Sequence, residues 1–383
     1  MDMKLYTKCL VDILKCSISN TTYKMKKESI NLAELRNFAK YHEIDAFLYP
    51  ALKDNEAFRE DNAYKDIFND FNVITVKYAN QEYYIEQVRK ALNKENIKYV
   101  FLKGSVLRGL YPIPELRQSA DIDIYFDEAY AKRVKDILCN MGFANEKFGS
   151  DQDVYILPPY VCIEMHRMLL PPRSKQFDVG ITISKRLIHK SESEYIMSNE
   201  DFYIFHIIHT AKHMSEGGIG IRAFFDMWIY LRAYNDKLDW EFIEKELENA
   251  RLLEFEKHIK CLALHWFEDA EKGQYTDEIE NYVIYSGWNG THNQKTALMS
   301  EEYVKDNKMI YYFKYIFKSV DELKTAYPYL KKNPMLYPIA FFDRIYKLMF
   351  VRKGAIRKFL HRYDDIDMRD IDDLKSFVKR IGL

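Results

Sequence analysis

The chain of 383 residues carries 57 Lys and Arg against 58 Asp and Glu, a formal net charge of -1. That balance excludes a histone-like or polybasic binder of nucleic acid, though it allows a local positive cleft. With 48% hydrophobic residues the chain can bury a large core, and its length suits a globular protein of about two to three domains.

The 13 glycines and 10 prolines fall below the usual shares of about 7% and 5%, which predicts few tight turns and a mostly helical chain. The 30 tyrosines and 24 phenylalanines are spread along the whole length and read as core packing rather than nucleotide stacking. Cys9, Cys16, Cys139, Cys162 and Cys261 form no CxxC pair and read as the reduced thiols of a cytoplasmic protein. The first twenty residues lack the apolar core of a signal peptide. No apolar run approaches the ~18 residues a membrane span needs.

In chain order, Leu5, Leu10, Ile13 and Leu14, then Leu32, Leu35, Phe38 and Ala39 recur with helical spacing. Asn31 is placed to cap the second helix, with Glu34 completing a capping-box pattern. A longer helix is expected over 71–93. The pattern then changes. Residues 99–102 are β-branched and aromatic and run into Lys103-Gly104-Ser105, a strand entering a turn. A short helix over 106–110 precedes Tyr111-Pro112-Ile113-Pro114, which the prolines keep extended. A second strand covers 122–126, a helix 128–141 ends at Gly142, and strands are expected at 154–157 and 161–165.

Beyond residue 191 the reading is helical again, over 201–214, 221–234, 240–249 and 253–271, with Gly217-Gly218 as a tight connection. Later helices are expected over 300–317, 337–350, 356–362 and 371–381. The predicted fold class is α+β, predominantly helical. A small mixed-sheet core over 96–190 is embedded between a helical region over 1–95 and a helical domain over 191–383.

The chemistry concentrates around the second strand. Residues two apart on a strand share a face, so Asp121 and Asp123 present two carboxylates together. Without a counter-ion one of them should have a raised pKa; Mg²⁺ would hold both ionised and bridge them to phosphate. If the strand carrying Glu164 neighbours this one, the three carboxylates form a cluster suited to two-metal phosphoryl chemistry. Gly104 permits close approach of a phosphate, and Ser105 adds a hydroxyl at a helix start.

The order of a Gly-Ser turn, an Asp-x-Asp strand and a later acidic strand resembles the signature of the DNA polymerase β-type nucleotidyltransferase superfamily. More narrowly, Leu102-Lys103-Gly104, Tyr111-Pro112, Glu115-Leu116-Arg117, Asp121-Ile122-Asp123 and Glu164-Met165-His166 resemble the bacterial family of uncharacterised nucleotidyltransferases. Family-like features continue at His209-Thr210-Ala211-Lys212-His213, over 222–226 and 286–290, at Tyr327-Pro328 and over 338–344. The resemblance implies a nucleotidyltransferase fold, Mg²⁺ (or Mn²⁺) at Asp121, Asp123 and Glu164, and transfer of a nucleoside monophosphate from an NTP such as ATP. The acceptor, a small molecule, protein or RNA, is undefined. Ser119-Ala120 stand where the motif more often has a bulkier apolar residue and glycine, a change of turn packing and not of a ligand. The alternative is a non-catalytic nucleotide-binding regulator or antitoxin-like protein.

Lys103, Arg117 and His166 are further candidates for nucleotide contact. Each has a structural alternative: a solvated strand end, a loop anchor to an acidic residue, and a half-buried histidine. His206, His209 and His213 share one helix face and, with Lys212, suit phosphate or acceptor contacts better than zinc, which lacks nearby carboxylate or cysteine support; the other reading of the three histidines is structural hydrogen bonding. Arg222 and Asp226 read as a surface i,i+4 pair. Gly287-x-x-Gly290 reads as a turn, and Asp364, Asp365, Asp367, Asp370, Asp372 and Asp373 as a solvated acidic face.

Overall fold

The computed structural model describes residues 2–19, 21, 23–24, 30–149, 151–287, 317–323, 327, 329–347 and 368–383. Among the described residues four α-helices precede the first strand: α1 (Met3–Ser19), α2 (Leu32–Tyr41), α3 (Leu48–Leu52) and α4 (Asn62–Lys94). Asn31 caps α2 by accepting the Glu34 N–H at 3.1 Å. The reciprocal half of the capping box is taken over by a tyrosine: Tyr6 Oη accepts the Asn31 N–H at 3.1 Å and donates to Glu34 Oε2 at 2.8 Å. The helix α4 begins earlier than its apolar spacing predicts because the Asp61 side chain accepts the Ala63 N–H at 2.9 Å and caps it there.

A seven-stranded mixed sheet follows, built from β1 (Tyr99–Phe101), β2 (Ile122–Phe126), β3 (Ala144–Lys147), β4 (Gln152–Leu157), β5 (Val161–His166), β6 (Ile188–Ser191) and β7 (Glu194–Ile196). Its order is β3-β4-β5-β2-β1-β7-β6. The pairs β2/β5 and β1/β7 are parallel, and the others are antiparallel. Between strands lie α5 (Gly104–Leu107), α6 (Ala131–Asn140) and α7 (Phe177–Lys185). The sheet is followed by α8 (Asn199–Ser215), α9 (Ile221–Tyr234), α10 (Trp240–Asn249), α11 (Leu253–Glu268) and α12 (Thr276–Ser286). The fold is α+β and predominantly helical, as its composition predicts.

One sheet face is apolar and covered. Ile122, Ile124 and Phe126 of β2 and Val161, Ile163 and Met165 of β5 pack with Ile85, Val88 and Leu92 of α4 and Val134 and Leu138 of α6. Each such side chain contributes about 1.5–3 kcal/mol on burial. The opposite face of these strands is therefore the one free to carry polar groups.

The chain divides into two compact units. The first holds residues 1–214, 218–289 and 380–383; the second holds 215–217 and 290–379. Within the second, Leu323, Leu330 and Ala340 form a small core with Tyr327, Leu336 and Tyr337 against it. A helix there covers Tyr337–Tyr346, and the helix Met368–Arg380 belongs to this unit up to residue 379. The expected helices over 300–317 and 356–362, the tail Asp364, Asp365 and Asp367, and Trp288 to Gly290 lie outside the described residues, except for Phe317. No helix among the described residues is long and apolar enough to cross a membrane.

Candidate active site

With Ile122 and Ile124 turned into the core, Asp123 projects from the other face of β2. On β5, Cys162, Glu164 and His166 alternate with Val161, Ile163 and Met165 in the same way. The parallel register sets Asp123 opposite Glu164 and Tyr125 opposite His166. Ligand atoms of Asp123, Glu164 and His166 all lie within 4.8 Å of one another, the one such group among the described residues. His166 Nε2 is 2.6 Å from Asp123 Oδ1 and 3.7 Å from Glu164 Oε2. Lys103 Nζ donates to the same Asp123 Oδ1 at 3.0 Å. Asp121 immediately precedes β2 and lines the same cavity.

The two aspartates are driven apart electrostatically. Burial and the Asp123 charge push Asp121 up to about 6, against the pull of Lys103. Burial also opposes ionisation of Asp123, but Lys103 and His166 outweigh it and hold that carboxyl well below the usual range. For Lys103, burial is overcome by Asp123 and Asp121, and the ammonium is held above the usual lysine range.

These groups line a cavity of about 330 Å³. Lys103 and Gly104 belong to its wall. Lys103 has φ 43° and ψ −111°, a backbone conformation rare for a residue with a side chain. Gly104 is needed for space: a Cβ there would meet Arg117 Nη1 at 2.7 Å and Ser119 Oγ at 2.8 Å. Ser119 Oγ donates to the Asp121 carbonyl at 2.8 Å, so the unusual Ser-Ala pair ties down the turn into β2. Ser105 stands apart from this wall. Its N–H donates to the Leu102 carbonyl at 3.2 Å, and its Oγ is buried with no hydrogen-bond partner among the described residues.

Arg117 is buried and paired with Asp226 of α9, Nη2 to Oδ2 at 2.8 Å and Nε to Oδ1 at 3.2 Å. Tyr111 Oη donates to the same Asp226 Oδ1 at 2.6 Å. Arg222 is also buried and pairs with Glu43, besides donating to the Gln118 carbonyl at 3.1 Å. The expected surface pair of Arg222 with Asp226 is thus corrected. Ile221 to Leu231 are all buried, so α9 has no solvated face there, and each charge takes a partner from another element. Glu43 follows α2 with φ 54° and lines the cavity. A single glutamate in a loop gave no sequence signal of this.

The far wall comes from α8. His209 and His213 are hydrogen-bonded, Nε2 to Nε2, at 2.8 Å, and His206 is buried with its Nε2 unpartnered among the described residues. Burial, and after it the charge of Lys103, pushes His209 well below the usual histidine range and His213 down to about 4. Lys212 is exposed at the rim of the same cavity. The structure therefore brings Asp121, Asp123, Glu164, His166, Lys103, Gly104, His209, Lys212 and His213 around one cavity. Arg117 also lines it, with its guanidinium engaged by Asp226.

The donor set fits a hard divalent cation. Arg117 and Arg222 are engaged by Asp226 and Glu43, while the ammonium of Lys103 stands against the carboxylates of Asp121, Asp123 and Glu164. Carboxylate oxygens suit Mg²⁺, and the His166 nitrogen is compatible with Mn²⁺.

A family model described as uncharacterised nucleotidyltransferase matches residues 28–268, more than half of the chain. No curated protein and no solved structure shows significant similarity to the chain.

Proposed function

The chain belongs to the uncharacterised nucleotidyltransferase family, and on that footing we propose that its cavity transfers a nucleoside monophosphate from an NTP, such as ATP, to an acceptor hydroxyl. The observation that carries this reading is the register of Asp123 with Glu164 beside Asp121, facing Lys103 and Gly104. Asp121, Asp123 and Glu164 would hold Mg²⁺, whose charge, when bound, neutralises the triphosphate and favours ionisation of the acceptor hydroxyl.

Gly104 lets the β and γ phosphates approach the backbone beside α5, Lys103 and Lys212 offer them positive charge, and the neutral rings of His209 and His213 offer hydrogen bonds. Glu164 is positioned to accept the hydroxyl proton as the acceptor oxygen bonds to the α-phosphorus. The bond from that phosphorus to the β-bridging oxygen breaks, and pyrophosphate leaves. Arg117 acts indirectly, since Asp226 holds it against Gly104. Five cysteines without a CxxC spacing suit a reducing, cytoplasmic setting.

The full-length protein, incubated with each NTP, Mg²⁺ and a panel of small-molecule, protein and RNA acceptors, should release pyrophosphate and label one class. Asp121→Ala combined with Asp123→Ala should abolish both signals. A double variant that transfers nucleotide as fast as wild type would refute the site.

A further inference from the structure

The ammonium of Lys103 lines the cavity beside the carboxylate cluster. It donates to Asp123 Oδ1 at 3.0 Å, an oxygen that also contacts His166 Nε2 at 2.6 Å. His209 and His213 line the same cavity, and both feel its charge. A single ammonium is a poor match for a cluster of three carboxylates, and a divalent cation matches it better.

We propose that Lys103 is a displaceable counter-ion, holding Asp123 before the metal arrives and turning to the nucleotide phosphates once the divalent cation has taken Asp123. The proposal rests on the metal-binding part of the function above and adds a role for this side chain that the acidic motif does not contain.

Two features of the chain suit Lys103 to this exchange. Its backbone, at φ 43° and ψ −111°, is in a region that persists only where surroundings hold it. Its carbonyl is fixed by the N–H groups of Val106 and Leu107 at 3.1 and 2.9 Å. The Cα is thereby pinned at the start of α5, and the four-carbon stem has the rotatable bonds by which its charge would pass from Asp123 to phosphate. Asp123 would exchange one cation for another, and the released ammonium would find phosphate oxygens, so no buried charge is left unpaired at either stage.

Metal and nucleotide binding should then respond to Lys103 with opposite signs. Mn²⁺ alone, titrated into full-length protein and followed by the electron paramagnetic resonance of the free ion, should bind Lys103→Met roughly tenfold more tightly than wild type, the scale of one charged hydrogen bond. An α,β-methylene ATP analogue with Mg²⁺, followed by calorimetry, should bind the same variant roughly tenfold more weakly. Lys103→Gln replaces Lys103→Met if circular dichroism shows the latter unfolded. A folded variant whose Mn²⁺ affinity is unchanged or lower overturns the exchange while leaving the metal site standing. Tighter Mn²⁺ with unchanged analogue affinity overturns the hand-over to phosphate. Wild type that binds no Mn²⁺ at millimolar concentration overturns the metal assignment itself.

Discussion

Asp123 on β2 and Glu164 on β5 are register partners across a parallel strand pair, so two carboxylates from separate stretches of the chain leave one sheet face together. Their backbones are hydrogen-bonded within a sheet whose other face is the apolar core. The spacing of the carboxylates is therefore set by the ladder and not by a mobile loop.

Glu164→Gln tests the chemical part of that relationship. The substitution keeps shape and hydrogen bonding on a half-buried strand position, so circular dichroism should be unchanged. Pyrophosphate release should fall by more than about a hundredfold, beyond the loss from merely disturbing a residue that supports a metal ligand. A variant within a fewfold of wild type would remove Glu164 from the reaction.

Gly104→Ala tests the wall facing the acidic cluster. The added Cβ would lie 2.7 Å from Arg117 Nη1, and that guanidinium cannot swing aside without leaving Asp226. Overpacking of this kind costs about 1–3 kcal/mol. Urea denaturation should show the loss, and calorimetry should show weaker nucleotide binding. Stability equal to wild type would mean that Arg117 is not held as described.

The buried pair beneath that wall should be among the most sensitive points of the fold. Asp226→Ala leaves Arg117 buried without its partner, and breaking a buried pair in this way costs about 3–5 kcal/mol. Tyr111→Phe removes only a donor to a charged acceptor and should cost about 1.5–3 kcal/mol. By contrast, Asp277→Ala, which breaks an exposed contact with Lys272, should leave the urea midpoint in place. The ranking of the three midpoints checks the assignment.

His42 makes stability depend on pH. It is fully buried, its Nδ1 accepts the Ile221 N–H at 3.3 Å, and burial pushes its pKa down to about 3. Its unfolded value is near 6.5. Between those values the unfolded chain binds a proton that the folded protein excludes. The contribution is therefore complete above about 6.5 and declines by about 1.4 kcal/mol per unit as the pH falls toward the folded value. From pH 7 to pH 5 this amounts to about 2 kcal/mol. His42→Gln should flatten urea-derived stability by that amount over the interval. His206, His209 and His213 contribute to wild type and variant alike, so they cancel in the difference. Parallel curves would show that His42 is not held neutral.

The amino-acid sequence by itself determined the features that depend on near neighbours. Apolar residues alternating with Asp123 on one strand and with Glu164 on another settle which face each carboxylate takes, because strand periodicity is local. Glycine between Lys103 and Ser105, and the Asn31 cap, are legible for the same reason. The motif from Leu102 to Phe126 was enough to place the chain beside its family. The strands β3, β6 and β7 carry no strand signal in the sequence because Ala144–Lys147 and Ile188–Ser191 are polar, mostly exposed edge segments and Glu194–Ile196 is only three residues long. Their hydrogen bonds come from neighbours and not from an apolar pattern.

Only the tertiary structure decided which strands adjoin and in what register, and so that Asp123 meets Glu164. It also decided that Arg117 is held by Asp226 and Tyr111, and Arg222 by Glu43. Partners for buried charges are chosen by whichever elements exclude water around them, and that exclusion exists only once α9, the turn into β2 and the end of α2 have packed together.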